Sequence, residues 1–234
     1  MVAVAGCYGA AADVIVLMDA SSSIRRADFH KQVAFIKNVV SGFDVRATST
    51  RVGLVTFSDQ TDVMLYLNEY NDRHATMTSL AGARQSQFRG TNTAMALLQA
   101  VEMFRLHGRV RAAHVAIVVT AGPSDYPALT AQQADLAKAA GVKVMTVGVG
   151  SAVDDSELRS MASTTDDIFT VDDFDALESI RDDVTARACD LQLETTVHKK
   201  HHHHHNGDKH NRLDNEVYKH ADTARGRFEK GTNS

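Results

Sequence analysis

From residue 114 to residue 188, short apolar runs alternate with helical patterns, and only tight turns separate them. HVAIVVT (114–120) precedes a helical pattern over 128–140, VKVMTVGV (142–149) precedes one over 154–162, and the run 167–171 precedes one over 173–188. Continuous short apolar runs of this kind suit strands buried on both faces. Successive β-α units close through right-handed crossovers, which demands a mostly parallel sheet covered by helices. The N-terminal half follows the same grammar. DVIVLMD (13–19) reads as a buried parallel strand, and Phe29, Val33, Ile36, Val40 and Phe43 recur at helical spacing, giving a helix over 28–41 with Asp28 near its start and Gly42 at its end. RVGLVTF (51–57) and TDVMLYL (61–67) are joined by Ser58-Asp59-Gln60. So short a link excludes a crossover and predicts an antiparallel hairpin with an edge strand. A short helix is expected over 73–82 and another over 94–106, with Thr93 as its cap.

The expected fold class is therefore α/β: a Rossmann-like open, mostly parallel six-stranded sheet with one antiparallel edge strand and helices on both faces. A chain of 234 residues with 44% hydrophobic residues suits one domain plus an appendage. Charge marks the boundary, because residues 1–193 carry 17 Lys+Arg against 23 Asp+Glu while 194–234 carry 8 against 6, with 8 of the 12 histidines. The expected organisation is an N-terminal segment 1–12, a folded domain 13–190 and a His-rich tail 191–234. The tail segment HKKHHHHHNGDKHNR is polar and of low complexity, so disorder is expected there. Within 211–225, Leu213, Val217, Ala221 and Ala224 keep the spacing of a marginal helix. The net charge of −4 makes no case for nucleic acid, and no apolar run reaches the length of a membrane span. The start, MVAVAGCYGAAA, is rich in small apolar residues like the end of a signal peptide, but it is too short and lacks a charged n-region. The chain reads as a piece whose targeting peptide, if any, is absent.

Two cysteines flank the expected domain, Cys7 before the first strand and Cys189 at the end of the last helix. If the domain's ends lie side by side, a bridge would close a loop of about 180 residues and stabilise it by several kcal/mol in the chain-entropy model. Two unrelated buried thiols are the other reading. The bridge is favoured, and it implies an oxidising compartment.

In open α/β sheets, ligands bind beyond the carboxyl ends of the strands. At those ends this sequence places Asp19-Ala20-Ser21-Ser22-Ser23, Ser58-Asp59, Gly90-Thr91-Asn92-Thr93 and Thr120-Ala121-Gly122. Hydroxyls with the carboxylate of Asp19 suit a hard divalent cation, Mg²⁺ or Mn²⁺, that keeps waters and an open position for a ligand oxygen.

On these residues the chain resembles a von Willebrand factor type A domain, whose metal-ion-dependent adhesion site carries a DxSxS motif. The resemblance covers about 13–188. Asp19-x-Ser21-x-Ser23 corresponds to the motif, RVGLVTFS to the second strand, FRGTNT (88–93) to the threonine loop, and GVKVMTVGVG (141–150) with DDIFTVDDFDAL (166–177) to the closing segments. It is nearest to A domains of matrix proteins such as matrilins and collagens, several of which carry a disulfide matching the terminal cysteine pair. The resemblance implies that Ser21 and Ser23 are direct ligands, that Asp19 is a ligand or water-mediated anchor, and that Thr91 supplies a hydroxyl, while Thr93 is left to helix capping. The family has an aspartate after the fourth strand where this chain has Ala121. One carboxylate fewer weakens the hold on the ion and leaves it a stronger electrophile towards an acidic partner. Asp125, in the same loop, is the candidate substitute, although Pro123 and Pro127 constrain its path.

Other chemistries fit less well. The first strand is not followed by the Gly-x-Gly-x-x-Gly of a dinucleotide site, a phospho-aspartyl site would need a second acid beside Asp19, and no catalytic cysteine or Ser-His-Asp set is evident. An enzyme is not expected. The acids Asp166, Asp167, Asp172, Asp173 and Asp175 read as a solvated turn and helix start, and His114 as structural. His201, His202, His203, His204 and His205 form either a Zn²⁺, Cu²⁺ or Ni²⁺ chelator or an incidental tag-like tract. The expected function is that of a secreted matrix protein's adhesion module, binding collagen-like or acidic matrix and cell-surface proteins with Mg²⁺ or Mn²⁺ held weakly. The alternative is a metal-independent structural or assembly module. The sequence does not set the oligomeric state.

Overall fold

The computed structural model describes residues 11–190. The chain divides into two units, Met1–Lys200 and His201–Ser234, and every described residue belongs to the first. Cys7, the expected segment 1–12 up to Ala10, and the tail with its five consecutive histidines lie outside the described residues.

The elements are β1 (Ala12–Asp19), α1 (Arg26–Ser41), β2 (Thr50–Phe57), β3 (Thr61–Leu65), α2 (Arg73–Ala81), α3 (Thr93–His107), β4 (Ala113–Thr120), α4 (Pro127–Ala139), β5 (Val142–Val149), α5 (Asp155–Met161) and β6 (Ile168–Val171). A 3₁₀ segment, Phe174–Ile180, leads into a last helix described over 181–190. The sheet order is β3-β2-β1-β4-β5-β6, parallel except for the β2–β3 pair. The six-stranded α/β architecture with one antiparallel edge is the one that the sequence predicts.

Strand alternation sorts the core into two layers. Val14, Val16 and Met18 of β1 pack with Phe29, Ile36 and Val40 of α1, Leu80 of α2 and Val184 of the last helix. Ile15 and Leu17 point the other way, to Leu97 and Ala100 of α3, Ala134 and Ala137 of α4 and Leu158 of α5. Because successive side chains of a strand leave opposite faces, one apolar run serves both layers. Gly148 lets α5 lie close on β5, since a Cβ there would sit 2.6 Å from Leu158 Cδ1. Gly141, at φ +84, turns the chain from α4 into β5 in the left-handed conformation that glycine tolerates.

Three boundaries differ from expectation. β3 ends at Leu65, not 67, because its register with β2 shifts between Leu54 and Val55 and residues 66–69 turn away. The segment after β6 begins as a 3₁₀ helix, not an α-helix. Thr93 is not the cap of α3: Asn92 accepts the Met95 N–H at 3.1 Å, and Thr93 is the first helical residue, its buried hydroxyl without a hydrogen-bond partner.

Two buried ion networks brace the amino ends of the strands. Asp13, fully buried at the start of β1, accepts from Arg109 Nε at 2.9 Å and Arg109 N at 2.6 Å, and the same guanidinium donates to the carbonyls of Ala12 and Ser49. Asp167, also fully buried, accepts from Arg187 Nε at 2.8 Å, from Lys143 Nζ at 3.2 Å and from Thr164. The expectation that the 166–175 acids form only a solvated turn is therefore corrected for Asp167, because the chain folds back to place Lys143 of β5 and Arg187 of the last helix against it. His114 packs as a structural residue, stacked on Phe104 with ring centroids 4.7 Å apart.

Burial alone would raise the Asp167 carboxyl, but the bonds from Arg187 and Thr164 and the charge of Lys143 outweigh it and hold the pKa below the usual value. A depressed carboxylate stabilises the fold fully above its unfolded pKa of about 3.9, and that contribution is lost as pH falls through the folded value. Asp167→Asn leaves Lys143 buried without its counter-charge, so it should cost about 3 kcal/mol at pH 7. In urea titrations, the gap between wild type and variant should narrow as pH falls below about 4; a gap that stays constant into acid would contradict this account.

Candidate metal and ligand site

Register decides what the upper edge of the sheet presents. Asp19 pairs with Phe57 and Met18 with Val119, so β1, β2 and β4 end level and their loops open side by side. The loop after β1 turns sharply because Asp19 Oδ1 accepts the Ser21 N–H at 2.9 Å. This turn aims two hydroxyls the same way, with Ser21 Oγ and Ser23 Oγ 2.9 Å apart, the first buried and the second exposed. Neighbouring loops are stitched to it through the backbone. Ser86 N donates to Ala20 O and Ser22 N to Phe88 O, both at 2.8 Å, and Asn92 N donates to Ser58 O at 2.7 Å.

Thr91 is held between loops. Its N–H donates to Asp125 Oδ2 at 2.8 Å, and Asp125 N returns a bond to Thr91 O at 3.0 Å. Ala121 directs its backbone N–H towards Asp19 Oδ2 at 3.5 Å, so the loop after β4 comes close to Asp19. Asp19, Ser21, Ser23, Thr91 and Asp125 thus lie on three loops joined directly to one another. Cys189 is disulfide-bonded. Cys7, its expected partner, lies outside the described residues, as do the five tail histidines.

Four residues position the site; of these, the sequence placed only Asp59 at the strand ends, and without a role. Gln32 of α1 donates to Asp19 O at 2.7 Å, and its Oε1 is buried without a partner. Its signal was a polar residue on an otherwise apolar helix face. Gln85 donates to Ser21 O and Ile24 O at 3.1 and 2.7 Å, clamping the serine loop from outside. Asp59 accepts the Gly90 N–H at 3.2 Å, and a Cβ on Gly90 would meet its carboxylate and lie 2.8 Å from Asp125 Oδ2, so glycine lets both acids approach the threonine loop closely. Glu157 of α5 accepts the Ser124 N–H on both oxygens, at 2.9 and 3.2 Å, anchoring the 121–125 loop. The Asp154-x-x-Glu157 spacing reads as a capping box, yet only Asp154 caps; Glu157 reaches across to the neighbouring loop.

Electrostatically, Asp19 is a buried acid paired with no cation among the described residues. Burial raises the Asp19 pKa, hydrogen bonds from Ser21 and Ala121 oppose the rise, and the Asp125 carboxylate pushes it further up. Among the described residues no group of three or more His, Cys, Asp or Glu is gathered to hold a metal. Any ion here would therefore draw most of its ligands from hydroxyls and water. One carboxylate, two adjacent serine hydroxyls and a threonine in a nearby loop are a donor set of the kind a hard, partly hydrated divalent ion accepts.

Comparison with known proteins gives the class. The pattern of the family described as von Willebrand factor type A domain matches residues 13–183. The chain belongs to that family. Mouse collagen alpha-4(VI) chain is 33% identical over 181 residues, which is 76% of this chain and 7% of that protein. Mouse matrilin-3 is 30% identical over 183 residues, covering 74% of this chain and 37% of the relative. The chain therefore spans only a small part of these relatives. Among solved structures, proximal thread matrix protein 1 from the mussel byssus, with a zinc-occupied MIDAS motif (the metal-ion-dependent adhesion site), superposes with a TM-score of 0.71. It is 27% identical, covering 79% of this chain and 47% of that one. Manganese-loaded TRAP protein of Plasmodium vivax, at 16% identity and TM-score 0.62, shares the fold over 73% of this chain and 72% of its own.

A raised folded-state pKa means that the stability contribution is complete below the unfolded value of about 3.9 and is lost as pH rises through the folded one, so ionisation of Asp19 weakens the metal-free fold. In chelator, the thermal midpoint of Asp19→Asn should therefore gain on that of wild type as pH rises from about 4 to 8. A clear loss relative to wild type over that range would show that the carboxylate is compensated in a way the geometry does not reveal.

Proposed function

We propose that this chain is an extracellular protein-binding module of a matrix-type protein, acting by binding, not catalysis. In this reading it takes up acidic or collagen-like ligands at the carboxyl edge of its sheet with Mg²⁺ or Mn²⁺ held weakly. The observation that carries the reading is Asp19: a buried carboxylate with no cationic partner among the described residues, next to the paired hydroxyls of Ser21 and Ser23. Asp19, Ser21, Ser23 and Thr91 would hold the ion, and the ion would supply a Lewis-acidic site for a ligand carboxylate. Asp125 would provide the second negative charge in place of Ala121, through water or after a small loop movement. The bond from Asp125 to Thr91 N and its electrostatic influence on Asp19 support that role. The matrix relatives and the disulfide at Cys189 support secretion into an oxidising space.

Ala121 favours a second reading, a metal-independent structural or assembly module that keeps the fold and binds through its surfaces. Calorimetric titration with Mg²⁺ separates the two, because this hard cation prefers oxygen and avoids the imidazoles of the tail. The first reading predicts weak binding by wild type, binding at least about tenfold tighter in Ala121→Asp from the added charge, and loss of binding in Asp125→Asn. No heat in wild type together with clear binding in Ala121→Asp would establish the second reading.

A bridge between Cys7 and Cys189 is part of the proposal. Mass spectrometry of a non-reduced digest of secreted protein should find the two peptides linked; free thiols at both positions would overturn it.

A further inference from the structure

The first turn of α1 and the segment 83–86 enclose a cleft of about 400 Å³ lined by Arg26, Phe29, His30, Arg84, Gln85 and Ser86. Arg26, His30 and Arg84 are exposed, and among the described residues neither arginine makes an ion pair or a side-chain hydrogen bond. Nearby cations are otherwise matched. Arg25 and Lys31 both pair with Asp28, and Lys31 also with Asp175. Asp62, in the adjoining groove that shares Arg84, forms no ion pair with it. The cleft is mechanically one piece with the candidate metal loop: Gln85, in its wall, donates to the carbonyls of Ser21 and Ile24, and Ser86 N donates to Ala20 O.

The opposite rim is different. α3 and α4 lie on the other face of the sheet from α1 and α2. There Met95, Leu98, Tyr126 and Leu129 line an apolar groove of about 270 Å³ that begins at Asn92 and Tyr126, next to Thr91 and Asp125. The site is thus bordered by unpaired guanidiniums on one face and exposed apolar side chains on the other.

We propose that the Arg26–His30–Arg84 cleft is an anion subsite for additional carboxylates of the same ligand that reaches the metal, and that the ligand is an acidic segment of a protein. The inference rests on the proposed metal-assisted reading for the position of the first carboxylate, while the cleft's charge stands independently of it. Guanidinium forks match carboxylates in geometry and charge. A polypeptide supplies together what the surfaces ask for: one carboxylate for the ion, others for the arginines, and an apolar side chain for the far rim. A sulfated glycan supplies only negative charge.

The test is fluorescence anisotropy of fluorescein-labelled poly-L-glutamate with the full chain at low salt and pH 8, where the tail histidines are neutral. Wild type, the double variant Arg26→Gln/Arg84→Gln and Asp19→Asn are compared in Mg²⁺ and in chelator, with an unlabelled heparin oligosaccharide as competitor. Glutamine adds no carboxylate that could capture the metal. The double variant should bind poly-L-glutamate about tenfold more weakly, as loss of two partly solvated charge pairs implies, with its calorimetric Mg²⁺ titration unchanged. If wild type binds equally in Mg²⁺ and chelator but the double variant still loses affinity, the subsite stands and the metal reading falls. Unchanged poly-L-glutamate binding in the double variant overturns the subsite. Tight heparin binding with none to poly-L-glutamate overturns it in favour of a sulfated glycan.

Discussion

The fold buries five acidic side chains among its described residues and treats them unequally. Asp13, Asp28 and Asp167 each face a lysine or arginine. Glu157 and Asp19 do not, and burial raises the pKa of both. Glu157 satisfies its oxygens on a backbone amide of the next loop and so has a positioning role. Asp19 stands at the carboxyl end of a central parallel strand, where the sheet order brings three loops together. A charge taken out of water costs several kcal/mol unless something of opposite sign comes with it. In the proposed reading, the remainder of the upper edge is the setting for a cation that would supply that opposite sign.

Bracing and the proposed binding site lie at opposite ends of the same strands. At the amino ends, Arg109 with Asp13, and Lys143 and Arg187 with Asp167, close the structure with paired charges. At the carboxyl ends, hydroxyls and backbone amides replace cations, and the loops are tied to each other by main-chain bonds. This division follows from parallel topology, which brings every loop after a strand to one edge and leaves the other edge free for bracing. The upper loops are therefore held in place with no cation among the described residues in contact with Asp19.

Much of the fold was legible in the sequence because strand and helix periods are written in the side chains that fill the core. β1 and β5 are apolar on both faces, and the three-residue link between β2 and β3 admits only a hairpin. What stayed illegible depends on long-range contact. Asp167 looks solvated until the chain brings Lys143 and Arg187 to it, and Thr93 looks like a cap although Asn92 performs that role. Asp19, Ser21, Ser23 and Thr91 were legible as a hydroxyl-rich edge. Gln32, Gln85 and Glu157 were not, and Asp59 was placed at that edge without its role, since each acts on a loop distant in sequence. The meaning of Ala121 also changes with the geometry: its amide faces Asp19, while the nearest replacement charge, Asp125, is already bound to the amide of Thr91.

The central claim is that the buried Asp19 charge awaits a divalent cation. A ligand that binds only the folded state raises the unfolding midpoint as its concentration grows, so thermal unfolding in chelator and in rising Mg²⁺ tests the claim directly. The account predicts that the midpoint of wild type climbs with Mg²⁺ while that of Asp19→Asn stays fixed. A wild-type midpoint that does not move up to saturating Mg²⁺, or an equal rise in both proteins, would contradict it.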